Sequence, residues 1–162
     1  MYEQVIVADS SPLIGLAKIH LLGILPKLSS HILIPPAVWE EVTIKGDDSP
    51  DTLAIRQATW LMVQIPIAKT VEPFKILVDF GEAEAMALAI QSEGSLLLLD
   101  DSRARRIAKR LKIRVIGTVG LLRRAKQRGL IEQLRPRLEG LQNNGIYIRQ
   151  ELIDAVLKDV GE

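Results

Sequence analysis

Four short stretches of this chain leave almost no position free for water: "QVIVAD" near the start, "HILIPP" at 31–36, "SLLLL" at 95–99 and "IRVIG" at 113–117. A strand with one wet face alternates apolar and polar residues, whereas these runs are apolar at consecutive positions, the pattern of strands buried on both faces of a parallel sheet. Parallel neighbours need a crossover between them, and helical patterns fill each interval. The chain therefore reads as an α/β protein, a three-layer α/β/α arrangement around a central, mainly parallel sheet. "LMVQIP" at 61–66 adds an edge-like strand.

The helices announce themselves through their ends. Ser11 before Pro12 suits an N-cap with proline in the first helical position, opening a helix toward His20 and a further helical turn through Leu28. Pro36 opens "AVWEEVT", and "SPDTLAIRQATW" starts on Ser-Pro with Asp51 in its first turn. Gly81 and Gly94 bracket the alanine-rich "EAEAMALAIQSEG". "DSRARRIAKRLK" follows the third apolar run, with Ala104, Ile107, Ala108 and Leu111 forming an inward stripe. The tail is helical: "TVGLLRRAKQRGL", "IEQLRPRLEGLQ", a turn at "NNG", then "RQELIDAVLKDV". With no repeat, low-complexity tract or linker, residues 1–162 make a single domain with a core over about 4–128 and a helical C-terminal extension over about 129–162. That extension suits either completion of the fold or an oligomer contact.

At 162 residues and 48% hydrophobic content the chain can bury a sizeable core. Without cysteine it has neither disulfides nor thiolate zinc sites, in keeping with a reducing compartment. The N-terminus lacks a signal-peptide pattern and no apolar run reaches membrane-spanning length, so the expectation is a cytoplasmic protein without membrane contact.

Net charge is only +1, but it is segregated. Residues 101–137 carry thirteen Lys or Arg against Asp101 and Glu132, while residues 1–100 carry six against thirteen acids. A solvated face ordinarily mixes signs. One-signed density on this scale has the character of a phosphate-binding footprint, so nucleic acid is the expected partner. The acids fall at element boundaries: Asp9 after the first strand, Glu40 and Glu41 after the second, Glu82 and Glu84 in the alanine-rich helix, and Asp100 with Asp101 after "SLLLL". Right-handed crossovers would bring such positions to one sheet edge, where oxygen ligands suit Mg²⁺ or Mn²⁺. Each acid also has an ordinary use: Asp100 or Asp101 as a helix cap, Glu82 and Glu84 at a helix N-terminus, Glu40 and Glu41 as solvated glutamates. Asp9 is hardest to account for in that way, since its strand is apolar and the following helix has Ser11 to cap it.

Other chemistries lack their parts. There is no GxGxxG, Walker A or GxSxG motif. An aspartyl phosphatase calls for a second aspartate two residues after the first, where Ser11 stands, and the acidic pair of a receiver domain is missing. His20 and His31 read as structural, and Trp39 and Trp60 as core anchors.

In order, "ADSSPLI", "IPPAVWEEV", "GEAEAMALA", "LLLLDDSRARRIA" and "IGTVGLL" resemble the PIN domain family, in particular its VapC-like members, over about residues 4–128. The closing "NNGIYIRQELIDAVLKDVGE" looks like the extension of a less characterised PIN-like branch. The resemblance implies a metal-dependent nuclease, mostly acting on single-stranded or structured RNA, and in many members the toxin of a toxin–antitoxin pair. Carried over by position, it implies Asp9, Glu41 (with Glu40 the rival), Glu84 (with Glu82 close) and Asp101 (with Asp100 adjacent) as catalytic ligands of one or two Mg²⁺ or Mn²⁺ ions. Ser11 matches the supporting hydroxyl residue. The sequence departs from the commoner pattern in offering glutamates at the third position. Arg103, Arg105, Arg106, Lys109, Arg110, Arg123 and Arg124 are the candidate nucleic-acid contacts, and a cognate antitoxin and a homodimer are the implied protein partners. The alternative is a PIN-like module that binds RNA or protein without cutting.

Overall fold

The apolar runs become the strands of one sheet. In the computed structural model, which describes residues 4–44 and 47–162, β1 (Ile6–Ala8), β2 (Ile32–Ile34), β3 (Leu61–Val63), β4 (Leu96–Leu98) and β5 (Val115–Ile116) lie in the order β3-β2-β1-β4-β5. All pairings are parallel, with Ile6 opposite Ile32 on one side and Leu96 on the other. Alternation survives inside the apolar runs. Ile6, Ala8, Ile32, Ile34 and Leu98 enter one core, while Val7, Leu33 and Leu97 enter the other. Both faces are covered, which is why neither set can be polar.

The first core is closed by α1 (Ser10–Lys18), α2 (Leu25–Leu28), α4 (Pro50–Arg56), α8 (Thr118–Gln127), α9 (Arg135–Asn143) and α10 (Gln150–Asp159). The second is closed by α6 (Phe80–Gln91) and α7 (Ser102–Arg110), whose Ala83, Ala85, Ala87, Ala104 and Ala108 are buried. α3 (Pro36–Trp39) runs on as a π-helical turn over Glu40–Ile44. α5 (Ala68–Val71) and a 3₁₀ turn (Glu72–Phe74) have no counterpart in the sequence reading, and buried Val71 and Phe74 fasten them to the second core.

Several boundaries differ from expectation. α1 begins at Ser10, with Asp9 in the N-cap position (φ −86, ψ 169), so Ser11 is not the cap and Pro12 sits a residue or two inside the helix. Nothing is lost, because first-turn N–H groups have no intrahelical partner and proline removes one of them. α4 ends at Arg56 rather than at Trp60. The inward stripe of α7 stops short of Leu111, which is 49% exposed because the helix ends at Arg110.

The C-terminal extension completes the fold. Leu138, Leu141, Ile153, Val156 and Leu157 join the core that holds Leu13 and Leu16. Its last side chain is a fastener: the Glu162 carboxylate accepts hydrogen bonds from the N–H groups of Leu134 (2.6 Å) and Arg135 (3.1 Å) at the start of α9 and pairs with Lys126 at 3.5 Å. Burial pushes this carboxyl up, but the two N–H groups and the ammonium prevail and hold it below its ordinary value. Among the described residues no single helix is long and apolar enough to cross a membrane. The one apolar helix pair, α1 with residues 22–28, is bent by 114°. Replacing Glu162 by Ala uncaps α9, and the expected loss is about 1 kcal/mol of stability, measured by denaturant unfolding against the parent.

Candidate active site at the carboxyl edge of the sheet

In a parallel sheet every strand ends at the same edge and every following helix begins there. The chain starts in the middle, moves outward through β2 and β3, and returns to place β4 on the free side of β1. The order thus reverses between β1 and β4, the place where open α/β sheets bind ligands. Asp9 and Asp100 flank it. The Asp9 N–H donates to the Leu98 carbonyl at 3.0 Å, tying the two strand ends together.

Asp9 is 6% exposed, and its side chain makes no capping hydrogen bond to α1. Its carboxyl is pushed up to about 7, chiefly by burial and further by the charges of Asp79, Glu41 and Asp100, against the Ser10 N–H, which pulls it down. Glu82 is raised to about 8, first by burial, then by its hydrogen bond with Asp79 and by the charges of Asp79, Asp9 and Asp101. Glu41 and Asp79 both approach Gly81, with Glu41 Oε2 at 3.5 Å and Asp79 Oδ1 at 3.7 Å from the place a Cβ would occupy. Of the two glutamates on the π turn, Glu41 is therefore the one that reaches the edge.

The remaining acids are engaged locally. Asp100 accepts from the Thr118 N–H (2.7 Å, Oδ1) and hydroxyl (2.6 Å, Oδ2), bracing the start of α8. Asp101 caps α7 through the Ala104 N–H at 2.8 Å. Asp79 caps α6 through the Glu82 N–H at 2.8 Å. Asp79, Glu82, Asp101 and Arg103 share a cavity of about 330 Å³. Glu84 stands apart: it is buried, and its Oε1 accepts from the Ala37 N–H at 2.9 Å, joining α6 to the start of α3. Ser11 is exposed beside Asp100 in a groove described below.

Asp79 is the participant absent from the sequence-derived set. Its signal is an aspartate followed three residues later by Glu82, a capping-box spacing that fixes the N-cap of α6 at Asp79, two residues before Gly81. His20 and His31 are not at this edge, since His20 follows α1 and His31 precedes β2. Trp39 and Trp60 pack against the first core, as anchors should.

The basic segment divides in two. Arg103, Arg105, Arg106, Lys109 and Arg110 are carried by α7, which starts at the acidic edge, and none of them forms an ion pair among the described residues. On α8, Arg123 pairs with Asp159, and Arg124 Nη1 points to Gln4 Oε1 at 3.5 Å. Lys126 donates to the Glu132 carbonyl, and Arg128 to that of Leu28 at 3.4 Å. These cations serve the fold.

Among the described residues no three His, Asp or Glu side chains converge closely enough to enclose one ion. The donor chemistry nonetheless fits a hard divalent cation. The edge gathers carboxylate oxygens, the charges acting on its central member are acidic, and Mg²⁺ characteristically takes one or two protein carboxylates and completes its shell with water and substrate phosphate.

Fold and edge together define an open parallel α/β domain with an anionic centre at its switch point. The family model DUF3368, described as a PIN domain, matches residues 5–162, and the chain belongs to the PIN-domain family. PIN domains are generally nucleases and generally use divalent metal ions. No curated protein and no solved structure matches the chain.

The raised Asp9 carboxyl gives a test with a definite sign. An acid whose folded pKa lies above its unfolded value stabilises the fold only while protonated, so stability falls as pH rises from about 4 through 7. In chelator at pH 8, Asp9→Asn is expected to be more stable than the parent by up to about 4 kcal/mol. The gap should narrow at pH 5, as read from denaturant unfolding at both values.

Proposed function

We propose that the chain is a divalent-metal-dependent endoribonuclease that hydrolyses phosphodiester bonds of single-stranded or structured RNA. The observation that carries this reading is the buried, uncompensated Asp9 among further carboxylates at the sheet's switch point. Asp9 and Glu41 are the groups placed to hold an ion, with Asp100, Asp101 and Glu82 completing the anionic surround. Mg²⁺ or Mn²⁺ bound there would supply Lewis acidity, activating water and stabilising the departing oxygen. Glu84 serves in this reading as a positioning residue. By holding the start of α3 against α6 it sets where Glu41 stands. Arg103, Arg105 and Arg106 in the first turns of α7 attract the phosphate backbone, which contributes affinity without sequence information.

Protein partners enter as a second layer. A cognate antitoxin or a second copy of the chain would find an apolar surface on the β3 edge, where Met62, Val63, Ile65 and Ile67 are all exposed. A neighbouring antitoxin gene would make this chain the toxin of the pair.

The experiment is cleavage of a mixed single-stranded RNA panel with Mg²⁺ or Mn²⁺, comparing the parent with Asp9→Asn after circular dichroism has confirmed that both are folded. Cleavage is expected only with metal, reduced more than about 100-fold in Asp9→Asn. RNA that is bound but never cut by the parent would instead favour the non-catalytic module. Raising salt should weaken binding steeply, and a flat response would remove α7 as the phosphate-binding face.

A further inference from the structure

We propose that the groove between the β5–α8 turn and residues 146–149 holds one nucleotide of the RNA strand next to the cleavage point, with Tyr147 stacking on its base and Arg105 and Arg149 holding its phosphate. The ligand class rests on the ribonuclease reading; the location rests on the structure.

The groove has a volume of about 540 Å³ and begins at Ser11 and Asp100, so it opens directly onto the carboxylate edge. Its far wall comes from the C-terminal extension, through Tyr147, Arg149 and Leu152. The two walls are locked together because Arg123 of α8 pairs with Asp159 of α10. Between them runs an apolar floor that includes Ile116 and Val119.

Charge and shape both select a nucleotide. Arg105 lies across the β5–α8 turn, its Nη1 only 2.8 Å from where a Cβ on Gly117 would stand, so the absence of a side chain there is what admits the guanidinium. Neither Arg105 nor Arg149 forms an ion pair among the described residues. Asp100, the one carboxylate lining the groove among the described residues, has both oxygens engaged by Thr118. The groove is therefore an anion site with an apolar floor. Tyr147 is 85% exposed, in a chain where Trp39 and Trp60 pack against the core. An exposed aromatic ring beside arginines over an apolar floor is how single strands are held without sequence reading: bases stack and phosphates pair. The extension thus supplies a substrate wall as well as core residues.

The test is fluorescence anisotropy in EDTA, where metal-dependent cleavage cannot intervene, using a short mixed-sequence single-stranded RNA and an abasic ribose-phosphate strand of the same length. Tyr147→Ala is expected to weaken RNA binding about tenfold while Tyr147→Phe retains it, and the two variants should bind the abasic strand alike. Arg149→Ala should lower the slope of log affinity against log salt by about one. Metal-dependent cleavage assayed in parallel separates the two readings. If the parent cuts RNA and Tyr147→Ala matches it in binding, the groove assignment falls and the nuclease stands. If the parent never cuts but its affinity depends on Tyr147, the nuclease falls and the groove stands. A parent without RNA affinity whose dimer is broken by Leu152→Arg would give the groove to a second copy of the chain, overturning the proposal.

Discussion

Parallel pairing with both faces buried is the constraint from which the rest of this molecule follows. Because β1 to β5 all run one way, their carboxyl ends share an edge and the helices that follow start there. Helix starts present unpaired N–H groups and a partial positive charge, so this edge attracts anions before any particular side chain is considered. The sequence answers with aspartate. Asp79 and Asp101 cap α6 and α7, Asp100 braces the start of α8, and Asp9 occupies the cap position of α1 without using its side chain there.

That last difference separates structure from chemistry. A carboxylate bonded to a helix terminus contributes to the fold and is electrostatically content. Asp9 has burial and acidic neighbours that outweigh the Ser10 N–H, so its charge is unfavourable until something positive arrives. Proteins tolerate such local conflicts where function requires them. Here the surrounding caps confine the conflict to one place. The same helix starts that accept aspartate also fix the spacing of the carboxylates around it.

Much of this was legible in the sequence because burial leaves an unambiguous trace. Runs such as "SLLLL" admit hardly any other role, and Asp9 stood out as an acid at the end of one of them. Asp79 was obscured because Gly81 looked like the start of its helix, whereas the capping-box spacing placed that start earlier. Choosing between Glu82 and Glu84 needs the helix's rotation. Two residues apart they point to nearly opposite sides, and only the packing shows that Glu84 bonds the start of α3 while Glu82 feels the charges of Asp9 and Asp101. The cations of α8 were countable, but Asp159 and Glu162, which engage Arg123 and Lys126, come more than thirty residues later in the chain, beyond any local pattern.

The π turn at Glu40–Ile44 gives Glu41 an unusual kind of placement. Each bond of such a turn encloses one residue more than an α-helical bond, so the winding itself decides which side chains face the sheet edge. Among the described residues no hydrogen bond or ion pair from a neighbouring element holds the Glu41 carboxylate near Gly81. Its bearing is a matter of segment length, and a chain with one residue fewer in this turn would wind as an ordinary α-helix and turn a different side chain toward Gly81. Insertions and deletions, more than substitutions, are thus the changes by which relatives of this protein could gain or lose this corner of the acidic edge.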